Sequence, residues 1–146
     1  MIHRAVLLTG VSVIALSLAG LGVGAATKDR VTATLNTGQE VPKPKATRGT
    51  GSFTGTLDGR RLSWKLTFSK LTGAGQAAHI HIAPRGKANP APAVGLCGPC
   101  RSGQTGSARI TDKVERALKR GTAYVNVHTK KNPGGEIRGQ IKFSSS

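Results

Sequence analysis

Apolar and polar residues alternate along most of the chain after residue 30, in short runs separated by Gly, Pro and Asn. The clearest run, RLSWKLTFSKL, places Leu62, Trp64, Leu66 and Phe68 at every second position. A helix repeats every 3.6 residues and cannot keep such positions on one face, whereas a strand does. The same alternation recurs at Val31, Ala33, Leu35, Phe53, Leu57, Val125, Val127, Ile137, Ile141 and Phe143. One apolar and one polar face per strand is typical of antiparallel sheets, so the pattern predicts an all-β domain.

One segment, TDKVERALKRG, has helical spacing instead, with Val114 and Leu118 one turn apart. Asp112 is the predicted N-cap, with Glu115 three residues later as in a capping box, and Gly121 suits the end of the helix. The whole pattern therefore predicts an antiparallel β-sandwich or barrel with one short connecting helix.

The first 26 residues differ from the rest in composition. They carry one charged residue, Arg4, an apolar run that begins at Ala5, and small residues at Gly24 and Ala26. This layout is typical of a secretory signal peptide. The alternative is an uncleaved membrane anchor, since the uncharged run is long enough to span a bilayer. We expect a signal peptide at 1–26, a single domain at 27–146, and a secreted or periplasmic mature chain without a membrane span.

The chain is strongly basic, with 22 Lys and Arg against 6 Asp and Glu and a net charge of +16 at pH 7. Such a surface attracts polyanions, although the charge also serves simply to keep an exported domain soluble. Aromatic residues make up 3% of the chain, too few for the stacking platforms of nucleic-acid-binding proteins. The expected partners are anionic polymers of the cell envelope or a secreted protein, and nucleic acid is not expected.

Three histidines occupy strand-like segments. AAHIHIAPRG places His79 and His81 in the phase opposite to Ile80, and AYVNVHT places His128 in the phase opposite to Val127. Because the aliphatic face must be buried, we expect the imidazoles on the outer, solvent-facing side of the sheet. If the two strands are neighbours, the three nitrogens can bind one copper or zinc ion.

Glu136, in GGEIRG, shares the outward phase and is a candidate oxygen ligand, or a partner that orients a ligating imidazole. The alternative is that the histidines are ordinary exposed or hydrogen-bonded residues of a polar sheet face. Nearby cationic side chains oppose the binding of a metal cation. They are Arg85, Lys87, Lys130 and Lys131.

The two cysteines, Cys97 and Cys100, form the motif LCGPC. A thiol redox motif needs its first cysteine at a helix N-terminus, where the helix dipole lowers the thiol pKa. Here RSGQTG follows, which contains few helix-forming residues. In an exported chain we therefore expect the pair to close a small disulfide loop, with metal ligation and redox activity as the alternatives.

The segment NPGGEIR predicts a tight turn that leads into a strand. Its proline fixes φ, and its two glycines admit positive φ. Its acidic and basic side chains share one face of the strand, so we expect them to contact each other or a neighbouring loop. The structural residues of this motif are Asn132, Pro133, Gly134, Gly135, Glu136 and Arg138.

Four segments together resemble the CHRD domain, a module that is repeated in chordin and also occurs singly in exported microbial proteins. They are LNTGQEVP, AAHIHIAPRG, LCGPC and AYVNVHTKKNPGGEIRGQI. The resemblance extends from about Val31 to Phe143, and the Cys-Gly-Pro-Cys loop is a departure that many members lack. It implies an all-β fold, immunoglobulin-like or superoxide-dismutase-like, and a non-enzymatic binding or structural module at the cell envelope or outside it.

The order of the histidines is also loosely similar to that of copper-zinc superoxide dismutase. That enzyme needs further histidines and an aspartate to hold two metals, whereas three histidines follow the signal segment here. Dismutase activity is therefore not expected, and the sequence contains no evident catalytic triad or carboxylate pair. Two hypotheses follow: a non-enzymatic binding module, or a mononuclear copper or zinc protein.

Overall fold

A computed structural model describes residues 28–45 and 47–146, so the predicted signal peptide at 1–26 lies outside the described residues. The described residues form nine strands, one α-helix and one 3-10 helix. The strands are β1 (Asp29–Asn36), β2 (Thr50–Asp58), β3 (Arg61–Ser69), β4 (Gly75–Ile82), β5 (Val94–Cys97), β6 (Gln104–Arg109), β7 (Ala123–Thr129), β8 (Ile137–Gln140) and β9 (Lys142–Ser144). The α-helix is α1 (Asp112–Lys119), and the 3-10 helix spans Thr37–Gln39.

All strand pairs are antiparallel, and they form one sheet in the order β5-β4-β7-β8-β1-β2-β3-β6, with β9 paired to β1. The two end strands of this order, β5 and β6, contact each other, so the sheet nearly closes into a barrel. The predicted fold class, all-β with one short helix, is confirmed. Among the described residues, no helix has the length and apolar character that crossing a membrane requires.

The interior of the barrel contains the residues that the alternation assigned to it. The fully or nearly fully buried members are Val31, Ala33, Leu35, Phe53, Leu57, Leu62, Trp64, Leu66, Val125, Val127, Ile137 and Ile141. Phe68 and Phe143 are only partly buried and pack against the margin of this core. Ile141 separates β8, which pairs with β7, from β9, which pairs with β1.

Helix α1 packs against β7 and β9, but its predicted N-cap is wrong by one residue. The cap is Thr111, whose backbone is still extended and whose hydroxyl accepts a hydrogen bond from the Val114 N–H at 3.3 Å. Asp112 is the first helical residue, and its carboxylate pairs with Arg60 on the β2–β3 loop. Gly121 lies just beyond the helix with φ of +67°, as the helix-end prediction requires.

Trp64 on β3 packs across Gly106 on β6, its partner in the strand register. A Cβ atom built at Gly106 lies 2.8 Å from Trp64 Cε2, too close for a side chain. Gly95 on β5 differs, because nothing lies within 4 Å of a Cβ built there. The indole ring of Trp64 therefore leaves no room for a side chain at position 106, whereas position 95 has room for one.

We expect Gly106→Ala to lower the free energy of unfolding by about 1–3 kcal/mol, because the indole must shift out of a well-packed core. Gly95→Ala, the matched control, should change it by less than about 1 kcal/mol, in the stabilising direction, since it reduces the freedom of the unfolded chain. Chemical denaturation followed by tryptophan fluorescence measures both. Equal effects of the two substitutions would contradict this account of the Trp64 packing.

Candidate functional site

Strands β4 and β7 are neighbours, and their register brings the three histidines together. Ala77 lies opposite His128, and His79 lies opposite Asn126, so the imidazoles of His79, His81 and His128 project from the same face. One nitrogen from each ring lies within 4.8 Å of the other two. His79 Nδ1 and His128 Nε2 are 3.1 Å apart. The adjacency on which the sequence hypothesis depended is therefore present.

Backbone carbonyls orient two of the three rings. His128 Nδ1 lies 2.8 Å from the Pro133 carbonyl oxygen, and His81 Nδ1 lies 3.1 Å from that of Ala91. Because a carbonyl oxygen only accepts, we assign the proton of each neutral ring to Nδ1. Nε2 of both rings then carries a lone pair, and that of His128 lies 3.1 Å from His79 Nδ1. His81 Nε2 is buried with no hydrogen-bond partner. Two imidazoles are thus held in the tautomer that ligates a metal through Nε2.

Burial keeps the histidines in their neutral form. It lowers the pKa of His79, and the nearby His128 and His81 lower that pKa further. Burial also lowers the pKa of His128 and of His81, although hydrogen bonds to the Pro133 and Ala91 carbonyls act in the opposite direction. Since metal ions bind the unprotonated ring, the site is in its ligating form at neutral pH.

The outer face of β4 and β7 is only partly in solvent, and the expectation of a solvent-facing imidazole is wrong for His81. The strand phase is as predicted, with Ile80 fully buried in the core, but His81, Tyr124 and Asn126 are only 2–3% exposed on the opposite face. The loop between β4 and β5 contacts two of them: Tyr124 Oη donates to the Asn89 carbonyl at 3.1 Å, and His81 Nδ1 lies 3.1 Å from the Ala91 carbonyl oxygen. His79 and His128 are half-buried, so the cluster opens to solvent on their side.

Arg138 on β8 holds the β4–β5 loop in place through hydrogen bonds. Its guanidinium, 1% exposed, donates to the carbonyls of Lys87 at 2.7 Å and Pro84 at 3.2 Å. It also lies 3.5 Å from the centroid of the Tyr124 ring, which stacks on the His81 imidazole with ring centroids 5.0 Å apart. Arg138 thus holds the Tyr124 ring, and the stacked Tyr124 ring restricts the movement of the His81 imidazole.

Glu40 is a buried residue near Arg138 and Asn126 that the sequence reasoning did not identify. It is 1% exposed, and its Oε1 accepts from the Val41 N–H at 3.0 Å, whereas its Oε2 has no hydrogen-bond partner. Burial raises its pKa, while the Val41 N–H and the Arg138 guanidinium act to lower it. The available signal was the position of Glu40 within LNTGQEVP, one of the segments that carry the family resemblance.

Glu136 does not join the histidines. Its carboxylate is fully buried and accepts hydrogen bonds from the hydroxyls of Thr47 and Thr129 at 2.5 Å and of Thr72 at 2.6 Å. The Thr72 backbone N–H donates to it at 2.7 Å and Asn132 Nδ2 at 3.2 Å. The carboxylate thus accepts hydrogen bonds from five donors on three separate chain segments. Its role is therefore structural, and it does not belong to the histidine cluster.

Opposing effects set the pKa of Glu136. Burial raises it, but the hydrogen bonds from Thr129, Thr47 and Thr72 together lower it to about 2. The carboxylate is therefore ionised, and the ionised form is the one that its donors stabilise.

The turn that follows β7 positions His128. The Gly135 N–H donates to the Asn132 carbonyl at 3.1 Å, and Gly135 has φ of +126°, a conformation that favours glycine. Within the turn, the Pro133 carbonyl is the group that accepts from His128. Arg138 contacts the β4–β5 loop, which was one of the two alternatives expected for it.

Cys97 and Cys100 have their sulfur atoms at bonding distance, 2.09 Å, and no free cysteine is present among residues 28–45 and 47–146. The Cys100 N–H also donates to the Gly75 carbonyl at 2.9 Å, which links the loop to the start of β4. The predicted disulfide between the two cysteines is therefore present, and it closes a short loop at the end of β5.

Comparison with known proteins gives one match. The model of the CHRD domain family matches residues 31–141, a segment that contains the three histidines, both cysteines and Glu136. No curated protein and no solved structure matches the chain.

We expect Glu136→Gln to lower the free energy of unfolding by about 2–4 kcal/mol at pH 7, because it replaces a charge that five donors stabilise in the interior. The lowered pKa of Glu136 also makes stability depend on pH. Its contribution is complete above the unfolded-state value of 4.5 and is lost as pH falls toward about 2.

Urea unfolding measured between pH 2 and pH 6 should therefore show a steeper acid loss in the native protein than in Glu136→Gln. Glu115→Gln, on the exposed side of α1 where Glu115 pairs with Lys119, is the matched control and should keep most of the native pH profile. An unchanged acid loss in Glu136→Gln would argue against the carboxylate network as its source.

Proposed function

Since the chain belongs to the CHRD domain family, we propose that it is an exported module that binds one copper or zinc ion through His79, His81 and His128. Family membership supports a non-enzymatic module in general. The observation that carries the metal proposal is the convergence of three imidazole nitrogens within 4.8 Å of one another.

The spacing of the nitrogens suits a small transition-metal ion. Zinc–imidazole bonds of 2.0–2.1 Å in a tetrahedral site place ligand nitrogens about 3.3 Å apart. The His79–His128 pair, at 3.1 Å, is already near this value. The His81 ring, which has one nitrogen within 4.8 Å of the other two, would have to move closer to reach a similar distance. Three imidazoles suit copper as well as zinc and leave one coordination position for a further ligand.

A bound ion would replace a hydrogen bond between two of the histidines. With the His128 proton assigned to Nδ1, the short contact to His79 requires His79 Nδ1–H to donate to His128 Nε2. An ion held by His79 Nδ1 and His128 Nε2 would take the His128 lone pair from this hydrogen bond. The His79 proton would then move from Nδ1 to Nε2 of the same ring by exchange with solvent. Binding therefore exchanges a single hydrogen bond for metal–nitrogen bonds in a partly buried place.

The exposed positive charge near the histidines lowers their affinity for a metal cation only modestly. The cationic side chains expected to oppose a metal ion are all exposed: Arg85, Lys87, Lys130 and Lys131. Water and salt screen exposed charges strongly, whereas the three rings that contact the ion are neutral.

Export is supported by three features. Residues 1–26 have the composition of a signal peptide, the cysteines form a disulfide of the kind that oxidising compartments preserve, and CHRD domains are of an extracellular type. A secreted or otherwise extracytoplasmic location follows, in which anionic envelope polymers and secreted proteins are accessible partners.

Titration of the purified, chelator-treated protein with Cu²⁺ and Zn²⁺ by calorimetry tests the metal proposal. We expect one ion per chain, and we expect His81→Ala and His128→Ala to weaken binding by at least about tenfold, since each removes a ligand. Gln76→Ala, an exposed change on the same strand as His81, is the control and should bind as the native protein does. No stoichiometric binding, or equal binding by the histidine variants, would refute the site.

The bound ion should be released on acidification, because protonated imidazole cannot ligate. Burial lowers all three histidine pKa values below 6.5, so retention should extend to a pH below that of ordinary imidazole titration. Equilibrium dialysis from pH 7 to pH 4 measures the release point. Release above pH 7 would be inconsistent with neutral, buried ligands.

A further inference from the structure

A different part of the barrel wall presents rows of hydroxyl groups to solvent. One row crosses five adjacent strands, β9, β1, β2, β3 and β6, in direct register. It consists of Lys142, Thr32, Thr54, Lys65 and Thr105, all of them exposed. The alternation that buries the core residues of these strands is what directs this row outward.

A second row lies beside the first, two residues away along each strand. It consists of Arg30, Thr56, Ser63 and Ser107. We call the two rows together the hydroxyl face. Neighbouring strands are about 4.8 Å apart, and alternate residues of one strand are about 6.6–7 Å apart, so the hydroxyls form a regular two-dimensional array. An open groove runs over both rows.

The charge on this face has one sign. Arg30, Lys65 and Lys142 are cationic and exposed, and neither row contains an acidic residue. Two acidic residues lie nearby: Asp29 precedes Arg30 in β1 but has the opposite strand phase, and Asp58, at the end of β2, pairs with Lys28 at 3.2 Å. The hydroxyl face therefore attracts anions, and its hydroxyls can both donate and accept hydrogen bonds.

We propose that the hydroxyl face binds a linear acidic polysaccharide. A polymer with repeated hydroxyls and carboxylates complements a surface of repeated hydroxyls and separated cations. The one tryptophan on these strands, Trp64, is 6% exposed and points inward, so the face has no aromatic platform of the kind that stacks nucleic-acid bases. The proposal uses none of the histidines and is independent of the metal site.

Affinity electrophoresis and calorimetry with polygalacturonate, which has a carboxylate on each sugar, test this inference on the purified protein. Its methyl-esterified form is the uncharged comparison, and duplex DNA is the comparison polyanion. We expect binding to polygalacturonate that weakens with salt, with little binding to the ester. Lys65→Glu should weaken it about tenfold, and Thr32→Val with Thr54→Val about threefold, since valine preserves the shape but not the hydroxyl.

Lys113→Glu on α1 is the matched control, because it makes the same charge change at an exposed position outside the hydroxyl face. It should leave affinity within about twofold of native. Thermal melts check that every variant is folded. The proposal is overturned if Lys113→Glu weakens binding as much as Lys65→Glu, if the ester binds equally well, if DNA binds more tightly than polygalacturonate, or if no polymer binds.

Discussion

The antiparallel pairing of β4 with β7 is the constraint on which the rest of the histidine site depends. Its register sets His79 opposite Asn126 and Ala77 opposite His128. A slip of one residue would turn every side chain of one strand to the other face. The core prevents this slip, because Ile80 and Val127 are fully buried on the inner side of the two strands. Hydrophobic burial inside the barrel therefore fixes the arrangement of imidazoles outside it.

The outer face of the same strands is a second, polar interior. The buried guanidinium of Arg138 donates hydrogen bonds there to the carbonyls of Lys87 and Pro84. At the end of β7, three threonine hydroxyls hold the buried carboxylate of Glu136. Hydrogen-bond satisfaction is incomplete at the centre of this layer. The described residues contain three buried side-chain atoms without a partner, on Glu40, His81 and Asn126.

Sequence reasoning predicted the strands and the core well, because both follow from a period of two that each strand expresses by itself. It also predicted that the three histidines share one face of the sheet. It was wrong about the N-cap of α1, where an extended Thr111 takes the position assigned to Asp112. It also missed Glu40 and assigned Glu136 to the metal cluster as a candidate. Phase along a strand specifies a side of the sheet, but it does not specify what covers that side.

By itself, the sequence determined the all-β fold, the inward set of apolar residues and the common side of the three imidazoles, since these depend on local backbone geometry. Only the tertiary structure decided that this side is partly buried and that Glu136 binds threonines instead of accompanying the histidines. The contacts responsible join residues far apart in the chain: Thr47 with Glu136, and Lys87 with Arg138. No local pattern of polar and apolar positions encodes such pairings, because they arise when loops fold back over a sheet that has already formed its hydrophobic side.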